Sequence, residues 1–124
     1  MAIKLLIVDD EKSFADTLSQ RLELRGFNVS VAYGGEEAIE SIESGSFDVC
    51  LLDVKMPGMS GIDVLRWAKE HYPGLVVVML TGYSSETDDQ EAHRIGLYAF
   101  LRKPPDFNEL VRTLRSACDA GKMG

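Results

Sequence analysis

Apolar residues fall into two alternating patterns along this chain. Runs rich in Val, Ile and Leu occupy 4–9, 29–33, 48–53, 76–81 and 99–102. Near-continuous hydrophobicity is what a parallel strand needs when helices cover both of its faces. Between these runs the spacing changes. Phe14, Leu18 and Leu22 recur every four residues, Ala38, Ile39 and Ile42 form a shorter stripe, and Ile62, Leu65 and Ala68 form a third. Leu110, Val111, Leu114 and Cys118 make the last. Each such stripe lines one face of a helix.

The boundaries fit this parse. Gly26, Gly45 and Gly96 follow the first, second and fourth helical stretches, where a left-handed cap is wanted, and Tyr72-Pro73-Gly74 stops the third. Asp106, with Glu109 three residues on, resembles a capping box that opens the last helix. Five β/α units in this order predict an α/β fold, a five-stranded parallel sheet doubly wound by five helices. The stretch 84–95 is the exception: it offers only Ala92 and Ile95 to a core. Its helix is expected to be the least firmly anchored, with Asp88-Asp89-Gln90-Glu91 as a solvated face.

Composition narrows the function classes. The 124 residues, 45% of them hydrophobic, suit one domain with its own core. A formal charge of −7, with 13 basic residues scattered along the chain, argues against direct nucleic-acid contact, which needs a clustered basic face. Cys50 and Cys118 lie far apart, with neither CxxC nor metal spacing, and read as buried thiols of a reducing compartment. No apolar run approaches the roughly 18 residues of a membrane span, so a cytoplasmic protein is expected.

The chemistry sits at the strand ends. Asp9 and Asp10 close the first run, Asp53 the third, Thr81 the fourth and Lys103 the fifth. In a doubly wound sheet the C-terminal strand ends converge on the crevice where such folds bind ligands. Two carboxylates about 4 Å apart repel by roughly 4 kcal/mol at an effective dielectric near 20, so three together call for protons or a cation. Oxygen ligands from two or three side chains suit Mg²⁺, and there is no His or Cys cluster for zinc. A carboxylate nucleophile, a metal, an ammonium and a hydroxyl together are the parts of phosphoryl transfer. Each part alone is ordinary, since an Asp pair or a Thr after a strand commonly caps a helix. Their coincidence at four strand ends is what points to one site, with Asp53 as the nucleophile.

These residues carry a family resemblance. Ile7-Val8-Asp9-Asp10-Glu11, Leu51-Leu52-Asp53-Val54-Lys55-Met56-Pro57-Gly58-Met59-Ser60-Gly61, Met79-Leu80-Thr81-Gly82 and Phe100-Leu101-Arg102-Lys103-Pro104 resemble, in motif, order and phase, a response-regulator receiver domain of bacterial two-component signalling. The resemblance covers about 3–120 and leaves 121–124 as a flexible tail or the start of a linker. It implies a flavodoxin-like strand order, 2-1-3-4-5. It implies that Asp53 takes a phosphoryl group from the phosphohistidine of a sensor histidine kinase or a phosphotransfer protein. Asp10, Asp53 and the backbone carbonyl of Lys55 would ligate Mg²⁺, and Asp9 would act through a metal-bound water. Lys103 would pair with the phosphoryl oxygens, and its bond to Pro104 is expected to be cis. Thr81 would swing in to the phosphoryl group and Phe100 would follow it.

The same resemblance implies a signalling module that catalyses only its own phosphorylation and dephosphorylation. Its partners would be a downstream effector or fused output domain, and a second copy bound through the fourth helix, last strand and fifth helix. Some positions depart from the pattern. Phe100 lacks the hydroxyl of the commoner Tyr, so its inward and outward states are expected to differ by packing alone. Pro105 stiffens the entry to the last helix, and Lys55 and Tyr83 sit where the family tunes the phosphoryl lifetime. His71 and His93 read as surface imidazoles, Trp67 as helix packing, and Met56, Met59 and Met79 as fillers. Two rivals remain: a phosphatase of the haloacid-dehalogenase type, which places its nucleophile in an Asp-x-Asp pattern after the first strand, and a receiver used only as a docking surface.

Overall fold

The computed structural model describes residues 2–123. Strands β1 (Lys4–Val8), β2 (Asn28–Ala32), β3 (Val49–Leu52), β4 (Val76–Thr81) and β5 (Ala99–Arg102) alternate with helices α1 (Lys12–Leu24), α2 (Gly35–Ser44), α3 (Gly61–His71), α4 (Glu86–Ile95) and α5 (Phe107–Met123). The five strands form one parallel sheet in the order β2-β1-β3-β4-β5, as the resemblance implies.

Successive strand residues point to opposite faces, and the core divides accordingly. Leu6, Val8, Cys50, Leu52, Val77 and Met79 pack with α2, α3 and α4 on one side. Leu5, Ile7, Val49, Leu51, Val78 and Leu80 pack with α1 and α5 on the other. Both sets are buried, which explains why the strands read as unbroken apolar runs rather than as an alternation. The edge strands β2 and β5 are only partly buried.

The helix ends largely follow their sequence signals. Gly26 and Gly96 adopt φ of 93° and 114°, conformations that side chains rarely tolerate. Gly45 does not: its φ is −121°, so the chain leaves α2 in an extended conformation. Ser60 and Ser85 cap α3 and α4 with reciprocal capping boxes to Asp63 and Asp88. Before α5, the Glu109 N–H donates to Asp106 Oδ1 at 3.1 Å. The segment expected as a tail is helical as far as Met123, because α5 continues there and a side chain at Gly121 would meet Val76 at 2.8 Å. Gly124 lies outside the described residues.

Helix α4 buries Ala92 alone, as its composition predicts. Its acidic run is not simply solvated, however. Asp88 pairs with Lys55 at 3.4 Å and Asp89 with Arg102 at 2.7 Å, because basic residues of the β3–α3 loop and of β5 face it.

Burial fixes where truncation is costly. Leu114 of α5 is fully buried and Leu24 at the end of α1 is 87% exposed. Leu114→Ala is expected to lower stability by about 2–5 kcal/mol in denaturant titration, and Leu24→Ala to change it by less than about 0.5 kcal/mol.

Candidate functional site

Neighbouring strands deliver the acidic cluster. β1 and β3 pair with Val8 opposite Leu52, so the residues just beyond each strand emerge side by side. The Asp53 N–H donates to the Val8 carbonyl at 3.0 Å, and the carboxylates of Asp9, Asp10 and Asp53 bring oxygens within 4.8 Å of one another. Asp9 and Asp53 are buried while Asp10 is partly open to solvent. Asp9 Oδ1 accepts the Glu11 N–H at 2.9 Å, which fixes one end of its carboxylate.

Lys103 joins the cluster from the far side of the sheet. Its backbone N–H donates to the Thr81 carbonyl at 3.0 Å, and the Lys103–Pro104 bond that follows is cis. Its Nζ lies 2.7 Å from Asp9 Oδ2, 2.8 Å from Glu11 Oε1 and 3.5 Å from Asp53 Oδ2. The Phe14 ring lies 4.4 Å from the same ammonium. Burial alone would lower the pKa of Lys103, but hydrogen bonds to Asp9 and Glu11 and the charge of Asp53 outweigh it and hold the ammonium above the usual lysine range. Asp9 is shifted upward, chiefly by burial and further by the like charge of Asp53, with the Lys103 bond opposing.

One atom is unpartnered. Asp53 Oδ1 is buried and has no hydrogen-bond partner among the described residues. A buried, unsatisfied carboxylate oxygen costs free energy unless something electropositive reaches it. Beside two further carboxylates, the donor set fits a hard divalent cation with oxygen ligands. The same free oxygen is a competent nucleophile for an electrophilic phosphorus.

The backbone under Asp53 is tightly constrained. The Gly61 N–H, at the start of α3, donates to the Val54 carbonyl at 2.8 Å, and a side chain at Gly61 would come within 1.9 Å of the Asp53 carbonyl oxygen. Glycine therefore lets α3 begin directly beneath the acidic residue.

The remaining sequence candidates stand around the cluster rather than in it. Thr81 is fully buried, but its Oγ1 donates to the Tyr83 carbonyl at 2.9 Å and so is engaged with its own loop. Phe100 lies farther along, half-buried, with the His93 imidazole stacked at 6.3 Å and the Arg102 guanidinium 5.2 Å away. Phe100 also packs against the core, so polar and apolar neighbours both surround its ring. The Lys55 ammonium sits 5.8 Å from the Tyr83 ring, and Tyr83 itself is 71% exposed. Sequence reasoning did not single out Glu11, Phe14 or Gly61. Glu11 stood in plain view as the third acid of Asp9-Asp10-Glu11, whereas Phe14 read as one member of a helical stripe.

A parallel α/β sheet with a crevice of carboxylates, an ammonium and a nearby hydroxyl defines a phosphoryl-handling site of the doubly wound class. Comparison with known proteins agrees. Residues 5–115 match the response regulator receiver domain family. The chain is 38% identical over 115 residues to the transcriptional regulatory protein ZraR of Escherichia coli K12, covering 93% of this chain and 26% of that protein. It is 39% identical over 113 residues to the transcriptional regulatory protein CpxR of the same organism, covering 91% and 48%. The chain thus spans about a quarter to a half of the length of these relatives. A response regulator receiver domain protein (CheY-like) from Methanospirillum hungatei JF-1 superposes with a TM-score of 0.95 at 30% identity, covering 99% of this chain and 98% of that one. This chain belongs to the response regulator receiver domain family, whose role is to accept a phosphoryl group in signalling.

The Gly61 constraint can be tested by contrast. Gly61→Ala is expected to cost about 1–3 kcal/mol or more in thermal unfolding, because backbone atoms must move. Gly74→Ala, at a position with nothing within 4 Å of the added carbon, is expected to cost much less.

Proposed function

We propose that Asp53 is the phospho-accepting residue and that a sensor histidine kinase or phosphotransfer protein supplies the phosphoryl group. The observation that carries this reading is the buried, unpartnered Asp53 Oδ1 beside Lys103 and two further carboxylates. In the transfer, an Asp53 oxygen forms a bond to phosphorus as the bond from phosphorus to the donor's imidazole nitrogen breaks, and the electron pair stays on that nitrogen. Asp10, Asp53 and the backbone carbonyl of Lys55 would hold Mg²⁺, with Asp9 acting through a bound water. Once bound, the ion neutralises charge on the phosphoryl oxygens. Lys103 neutralises the oxygens on the other side, giving up its contacts with Asp9 and Glu11 as it does so. Thr81 then exchanges the Tyr83 carbonyl for a phosphoryl oxygen, and Phe100 turns inward.

The chemistry ends there. The domain catalyses only its own phosphorylation and dephosphorylation, and its changed surface regulates a downstream effector or fused output domain. The names ZraR and CpxR, both transcriptional regulatory proteins, support an output of that kind. A homodimer through α4, β5 and α5 would use the exposed side of α4, which buries Ala92 alone, and the partly buried β5. The acidic balance leaves nucleic-acid contact to the output part. Among the described residues no helix is long and apolar enough to cross a membrane, and we assign the domain to the cytoplasm.

Incubation with Mg²⁺ and acetyl phosphate is expected to add one hydroxylamine-labile phosphoryl group, seen by mass spectrometry and absent in Asp53→Asn. Absence of any adduct would favour a purely docking domain, and multiple turnover of added phosphoesters would favour a phosphatase. Tyr83, whose ring lies 5.8 Å from the Lys55 ammonium, is proposed to limit water access to the acyl phosphate. Tyr83→Ala is then expected to shorten the phosphoryl half-life, followed by loss of label from the isolated phosphoprotein; an unchanged half-life removes Tyr83 from this role.

A further inference from the structure

Side chains tie α4 to the rest of the fold at three places: Glu91 meets Arg66, Asp88 meets Lys55, and a cluster of contacts gathers on Asp89. Its Oδ2 pairs with Arg102 Nη2 at 2.7 Å, its Oδ1 accepts a hydrogen bond from Ser84 Oγ at 2.7 Å, and its backbone carbonyl accepts one from His93 Nδ1 at 2.8 Å. Arg102 Nη1 also donates to Ser84 Oγ at 2.7 Å, which closes a ring of three residues. That ring joins three segments: the loop after β4, the first turn of α4 and the end of β5.

The ring touches both moving parts of the switch. Ser84 directly follows Tyr83, whose carbonyl holds the Thr81 hydroxyl. Arg102 and His93 both flank the Phe100 ring, at 5.2 and 6.3 Å, and Asp89 contacts both of them. A move of Thr81 toward Asp53 pulls on the loop that carries Ser84. An inward turn of Phe100 takes its ring away from Arg102 and His93. Apolar packing adds only Ala92, the one buried residue of α4, and the partly buried Ile95.

We infer that Ser84, Asp89 and Arg102 form a resting-state clasp, which holds the β4–α4 loop and α4 in place and opposes the displacement of Thr81 and Phe100 that a phosphoryl group on Asp53 drives. The opposing role rests on the phosphoryl-accepting function proposed above. The clasp is built to be broken. Its ion pair is well exposed, with side chains of Arg102 and Asp89 at 56% and 28%, so solvent and salt weaken it. Clasp and phosphoryl group bias one equilibrium in opposite directions. Opening the clasp therefore tightens the apparent affinity for a phosphoryl mimic by the factor through which the competent population rises.

The test uses the full chain with Ser84→Ala, Asp89→Asn, Arg102→Gln and the Asp89→Asn/Arg102→Gln pair, and Glu43→Gln of α2 as control. Two quantities are measured: amide hydrogen exchange over 82–95, and Mg²⁺-dependent binding of beryllofluoride, a tetrahedral mimic of the phosphoryl group. The clasp variants are expected to exchange faster over 82–95 and to bind beryllofluoride about fivefold tighter, the scale set by one exposed ion-pair network. The double variant is expected to go little further than Asp89→Asn, because both remove one interaction. Unchanged exchange in all three single variants overturns the clasp. Faster exchange with unchanged affinity overturns it equally, since a fastener that does not resist switching is not a brake. If the unsubstituted chain binds no beryllofluoride while Asp53 is intact, the phosphoryl-accepting reading fails instead, and the exchange measurement alone decides whether the three residues hold α4.

Discussion

One ammonium shared among carboxylates is the constraint on which the site depends. Lys103 faces Asp9, Glu11 and Asp53 at once, yet it cannot satisfy them all, and Asp53 keeps a buried oxygen with no partner among the described residues. Like charges a few ångströms apart repel by several kcal/mol even with substantial screening, on the order of 4 kcal/mol at 4 Å. The fold tolerates this because the strand register fixes Asp9 beside Asp53 and apolar layers behind them hold β1 and β3 in place. The residual negative charge favours a hard cation with oxygen ligands beside the three carboxylates. A site fully neutralised by its own side chains would have little to offer such an ion.

How far the sequence spoke for itself depended on what kind of information each feature needed. Strand and helix identity were local: the runs ending at Val8, Leu52 and Thr81 and the Phe14-Leu18-Leu22 stripe carry their own periodicity. The strand-end acids and Lys103 were legible as motifs, and convergence followed from the class of fold. Pairings across the chain were not legible. Asp88 and Asp89 read as solvated because nothing local says that Lys55 and Arg102 face them. The stacking of Phe100 on His93 was equally hidden, because it joins β5 to α4. Glu11 lies 92 positions from the lysine it contacts, and Gly61 owes its importance to a backbone approach that no hydropathy pattern encodes.

The two halves of the molecule are held by different forces. α1, α3 and α5 each bury several apolar residues, such as Leu22, Leu65 and Leu114, and lifting any of them would cost several kcal/mol. α4 buries Ala92, rests the partly buried Ile95 on the core, and is otherwise secured by charged and hydroxylated side chains at the surface. Exposed ion pairs contribute about 0–1 kcal/mol each, so α4 sits within reach of modest perturbations while its neighbours do not.

That asymmetry bears on how a local charge event could become a change of shape. A bound group shifts a conformational equilibrium only by the difference in its interactions with the two states. On the function proposed above, Thr81 offers such a difference, because its one hydroxyl proton now goes to the Tyr83 carbonyl and would be given up to bond a group on Asp53. A hydrogen bond exchanged for a charge-assisted one gains on the order of 1 kcal/mol, which would be lost against a helix packed like α3. Against α4 the two energies are comparable. In the proposed switch the thin packing of 84–95 is therefore a condition for transmission, since it keeps the resisting energy on the same scale as the signal.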